Sequence, residues 1–106
     1  MDKRKTELRR IVLDIILGRE AVTYDRWQFA HLSAGVAEVL SRRGSVEVFS
    51  TSAVLHEPRL AEADWQLTQE IFWDLICERV ITPGSDSTND QLPFFRLHSE
   101  ARARTE

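Results

Sequence analysis

A chain of 106 residues with 42% hydrophobic and 29% charged positions and three Trp has the makings of one folded domain, residues 1–106, and excludes intrinsic disorder. No run approaches the roughly 18 to 20 apolar residues that span a bilayer, and no apolar signal region opens the chain, so the expected location is the cytoplasm with no membrane partner. Net charge is −3 but uneven: residues 1–53 hold nine Lys/Arg against seven Asp/Glu, residues 54–106 five against ten, and an acidic body repels the phosphates on which nucleic-acid affinity depends.

Leu8, Ile11, Val12, Ile15 and Ile16 recur at helical offsets and predict a first helix from an Asp2 cap to about Leu17, stopped by Gly18. Its beginning is basic, with Lys3, Arg4, Lys5, Arg9 and Arg10, which reads either as a solvated helix end or as a phosphate-contacting arm. Cations there oppose the helix macrodipole, so the cluster does not serve helix stability alone. After a connection offering Thr23 or Asp25 as caps, Trp27, Ala30, Ala34, Ala37 and Leu40 predict a second helical region that Gly44 ends after Arg42 and Arg43. Ser33 and Gly35 interrupt its middle, so it reads as one helix or two, and small residues at 30, 34, 35 and 37 suit close packing. Ser45 to Phe49 alternates as a short strand able to pair with a later hairpin, and Pro58 is placed to open a short helix through Ala63 or to lie in a surface connection.

Trp65, Thr68, Ile71, Phe72, Leu75, Ile76 and Val80 share one face of a third helix, with Asp64 as its cap and Pro83 as its limit. Ile81-Thr82 begins a strand, Gly84 to Leu92 is a polar loop, and Pro93 to His98 is the returning strand. The last residues, Ser99 to Glu106, are polar and helical or frayed, and with no Gly or Pro to stop them the chain is expected to be cut from a longer protein.

The stretches LTQEIFWDLICERVITPG and LPFFRLHSEAR resemble the winged helix-turn-helix superfamily over roughly the last 40 residues, the amino half matching only by compatible helices. The usual Thr and Gly after the second strand are replaced here by His98 and Ala101. The resemblance implies an α+β fold, mostly α, of three or four helices with a small antiparallel sheet, and DNA binding as the common role.

Enzyme chemistry finds little to work with. The single Cys77 reads as a packing residue, His31, His56 and His98 stand apart in unlike contexts, and no nucleophile elbow, phosphate loop or metal-ligand spacing occurs, so no catalysis, cofactor, metal or small-molecule substrate is expected. Glu70, Asp74 and Glu78 follow one another at i+4 on one helix face. With Ile71 at 0° on a helical wheel, the core lies between about 0° and 140°, while Glu70, Trp73, Asp74 and Cys77 fall between about 200° and 300°. Trp73 therefore packs under another element or anchors a partner.

Two functions fit. A protein-interaction module would use Trp73, Glu70, Asp74 and the strand containing Phe95, whose edge a partner strand could extend, to meet another protein or another copy of itself. A DNA-binding regulator would rely on Lys3, Arg4, Lys5, Arg42, Arg43 and Arg96, because the helix before the hairpin carries acids instead. The signs favour the first.

Overall fold

The computed structural model describes residues 3–44, 49–50 and 58–105. The expected Asp2 cap, most of the Ser45 to Phe49 strand and His56 lie outside them. The chain is α+β and mostly helical: α1 (Lys3–Ile16), α2 (Phe29–Arg43), β1 (Phe49–Ser50), β2 (Pro58–Arg59), α3 (Glu62–Cys77), β3 (Ile81–Pro83), β4 (Phe95–Leu97) and α4 (Ala101–Thr105).

The helical periodicity of α1 becomes burial, with Leu8, Ile11, Val12, Ile15 and Ile16 all inside, and Gly18 takes the left-handed conformation (φ 79°) that closes the helix. This face packs against both α2 and α3, so α1 is the element around which the other two helices are arranged. Leu32, Val36, Val39 and Leu40 of α2 and Ile71, Phe72 and Leu75 of α3 complete a core that Val80, Ile81, Phe95 and Ala101 close from the carboxy-terminal side.

The second helical region is a single helix. Ser33 does not break it, because its hydroxyl donates within the helix to the Ala30 carbonyl at 2.9 Å. It starts later than the apolar pattern implied: Trp27 precedes it, and neither Thr23 nor Asp25 caps it. Thr23 instead donates through its amide and hydroxyl to the Glu38 carboxylate at 3.1 and 3.0 Å, while the Asp25 carboxylate accepts from the Trp27 amide at 3.0 Å. Among the small residues, Gly35 is where close approach matters, since a Cβ there would meet Val22 at 3.1 Å.

Four further expectations are corrected. Pro58 opens no helix, since Pro58–Arg59 pairs antiparallel with Phe49–Ser50. That pairing also takes β1 away from the carboxy-terminal hairpin it was expected to join. Asp64 is not a cap, for α3 begins at Glu62 after Ala61, and Asp64 sits buried in the first turn. The helix also ends before Val80: Arg79 turns left-handed (φ 62°), and the Val80 amide reaches back to the Leu75 carbonyl at 2.9 Å.

β3 and β4 pair antiparallel, Thr82 opposite Arg96. The other edge of the return strand is occupied at its start. Gln28 bridges Phe94, the Phe95 amide donates to the Trp27 carbonyl at 3.0 Å, and the Phe29 amide donates to the Pro93 carbonyl at 3.1 Å. The segment entering α2 therefore lies along the hairpin, and the hairpin in turn satisfies the first amide of α2, which has no side-chain cap. The hairpin turns at Gly84 (φ 87°), where a Cβ would lie 2.7 Å from the Asp90 carbonyl oxygen. Gly84→Ala is expected to destabilise the chain by about 2 kcal/mol through strained φ and backbone collision, measurable as a lower urea midpoint.

Candidate protein-contact face on α3

From Glu62 to Cys77 the sequence EADWQLTQEIFWDLIC contains no Lys or Arg. One side of this helix is committed to the core through Thr68, Ile71, Phe72 and Leu75. The opposite side carries Glu62, Gln66, Gln69, Glu70, Trp73 and Cys77, all exposed. Trp73 keeps 49% of its surface in solvent, and its ring meets that of Phe72 edge-on at 6.2 Å between centres. Of the two readings open for Trp73, burial under another element is therefore set aside.

The acids beside it meet the basic start of α1. Arg4 donates to both oxygens of Asp64 at 2.9 and 2.8 Å and also pairs with Glu7. Lys5 lies 3.2 Å from both Glu70 and Asp74, and Arg9 reaches Glu78 at 2.6 and 3.2 Å. Successive turns of α1 thus face successive turns of α3 with opposite charge. The protonated form of Arg4 is favoured, first by its hydrogen bond to Asp64 against the cost of burial, and Lys5 is raised above its ordinary value, first by hydrogen bonding to Asp74 and then to Glu70. A raised lysine contributes its stability fully below the unfolded-chain value and loses it as pH climbs through the folded one.

Trp73, Glu70 and Asp74 are thus brought together on α3, Glu70 and Asp74 half-exposed despite their shared lysine. Phe95 is not part of this group. Its side chain is fully buried, and its own amide is taken up by the Trp27 carbonyl on the edge away from β3, so neither its ring nor its N–H is open to a partner. The basic residues do not form one surface either. Lys3 is exposed at the start of α1, Arg4 and Lys5 are held on α3, Arg42 and Arg43 at the end of α2 reach Glu20 at 3.4 and 3.0 Å, and Arg96 donates to the carbonyls of Pro83 and Gly84 at 3.2 and 2.9 Å.

Glu62 lies outside the face read from the sequence because that pattern starts the helix at Asp64, whereas Gln66 and Gln69 lie within it but carry no charge to mark them. Extending the same wheel backwards would have found Glu62. Glu62 also borders a groove of about 610 Å³ between the starts of α2 and α3, walled by Phe29, Leu60 and Trp65 with Arg59 and His31 at its margin. The His31 ring stacks on Tyr24 at 5.6 Å. Among the described residues no group of His, Cys, Asp and Glu is arranged to hold a metal ion, and no helix is long and apolar enough to cross a membrane.

Comparison with protein-family models, curated proteins and solved structures gave no match, so the reading of this face rests on its own chemistry.

Proposed function

We propose that the chain is a non-catalytic winged-helix recognition module that acts through protein contacts, as an adaptor or regulatory part of a larger bacterial protein or complex. The winged-helix reading is supported by a helix running straight into a short hairpin whose return strand is bound by the segment entering α2. The observation that carries the function is the outward face of α3, a helix of 16 residues with an exposed Trp and two exposed Glu and no cation. An amphipathic aromatic among polar groups is the residue type that anchors interfaces. A helix placed in a DNA groove with that face would set carboxylates against phosphates.

The competing DNA reading must draw on Lys3, Arg42, Arg43 and Arg96 without the help of α3, and the basic turns of α1 that would join them are engaged with α3 carboxylates. The test is Trp73→Ala beside Glu70→Lys. Each is expected to change stability by about 1 kcal/mol or less in thermal melts, because both side chains face solvent, while reducing any self-association seen by light scattering. Loss of the folded state on Trp73→Ala would contradict the reading by placing the indole in the core.

A further inference from the structure

Gln66, Glu70, Trp73 and Cys77 follow one another at intervals of four, three and four residues, which aligns them in one exposed stripe about 16 Å long. That spacing is the one along which a second helix lies. The charge of the stripe is not balanced from within. Lys5 serves two carboxylates at once, Glu70 and Asp74, and Glu62 accepts a hydrogen bond from the neutral Gln66 amide at 3.3 Å. Surplus negative charge therefore flanks an indole whose exposed surface is the best side-chain acceptor for a cation. At the amino end of the stripe, Glu62 also borders the groove walled by Phe29, Leu60 and Trp65, which offers apolar surface to the same visitor.

We propose that the occupant of this face is a basic amphipathic helix of another protein, lying along Gln66, Glu70, Trp73 and Cys77 with an Arg or Lys over the Trp73 indole. The proposal rests on the protein-contact reading and adds the chemistry of the partner. Glu70 and Asp74, which lie beside the indole with one lysine between them, select the cation, and apolar residues of the visiting helix cover the indole edge and the groove wall.

The test uses the full chain and two labelled peptides of about 20 residues, long enough to span the stripe. One is an amphipathic helix with Leu on one face and Lys/Arg on the other, and its twin has Glu at every cationic position. Anisotropy is expected to report saturable binding of the basic peptide that weakens with salt, and none of the acidic one. Trp73→Ala should weaken that binding about tenfold or more. Gln66→Arg, which adds a cation to the stripe at an exposed position, should weaken it as well, whereas Asp90→Asn, which removes a charge from the distant hairpin loop, should leave it nearly unchanged. Equal loss from Gln66→Arg and Asp90→Asn would overturn the proposal, since the peptide would then be responding to net charge. Equal binding of both peptides would overturn the partner's charge while leaving the protein-contact reading in place. Failure of the basic peptide to bind would overturn the helix partner, and duplex DNA binding tightly to the same samples would remove the protein-contact reading with it.

Discussion

Replacing Phe95 by alanine is expected to destabilise the chain by about 4 kcal/mol. The ring is fully buried and meets Trp27 and Phe72 edge-on, with centroid separations of 5.6 and 5.1 Å. It thus fills the point where α3, the carboxy-terminal hairpin and the segment entering α2 converge. Truncation leaves a cavity lined by aromatic rings that the pairing of β4 with β3 and the hydrogen bond from the Phe95 amide to the Trp27 carbonyl keep from collapsing. Phe72 also contacts Phe29 at 4.9 Å, so the damage passes from the hairpin to the start of α2. Urea unfolding followed by circular dichroism measures it, and a cost under about 1 kcal/mol would contradict this description of the core.

Arg4→Ala carries the second large effect, on the order of 3 kcal/mol. Asp64 is 7% exposed and accepts from two nitrogens of Arg4, so removal of the guanidinium strands a carboxylate beneath α1. The figure sits at the low end for a broken buried pair because the Arg4 side chain keeps 28% of its surface in solvent. Lys5 with Glu70 and Arg9 with Glu78 are more exposed on the acidic side, so water and salt screen them and they add little to folding. A double-mutant cycle between Arg4→Ala and Asp64→Ala, run at low and high salt, separates the two kinds of pair. A coupling near zero at both would show that the contact contributes nothing to folding.

The three main helices were legible because each buries a face wide enough to impose its period on the sequence, as Leu8 to Ile16 and Ile71 to Leu75 do. The hairpin could be read from Pro83-Gly84 and from the aromatic return strand. Its third participant could not: Gln28 makes a single bridge, and one residue has no alternation to detect. Phe95 was assigned to a partner edge for the same reason, since a strand of three residues does not reveal which face or edge is covered. Arg4 and Asp64 are 60 positions apart, beyond any local spacing rule, so Arg4, Lys5 and Arg9 of the basic cluster prove to be engaged with α3. Trp73 was legible because a helix fixes angle as well as length, and its angle places it off the core.

The most direct measurement of the central claim is a titration of the chain into labelled mixed-sequence duplex DNA, followed by anisotropy at low and near-physiological salt. With Arg4, Lys5 and Arg9 held on α3 and no Lys or Arg in α3 itself, the expected result is no saturable binding at either salt concentration. Tight binding at low salt that falls steeply as salt rises, and is lost on replacing Arg42 and Arg43, would contradict the account and return the chain to DNA recognition.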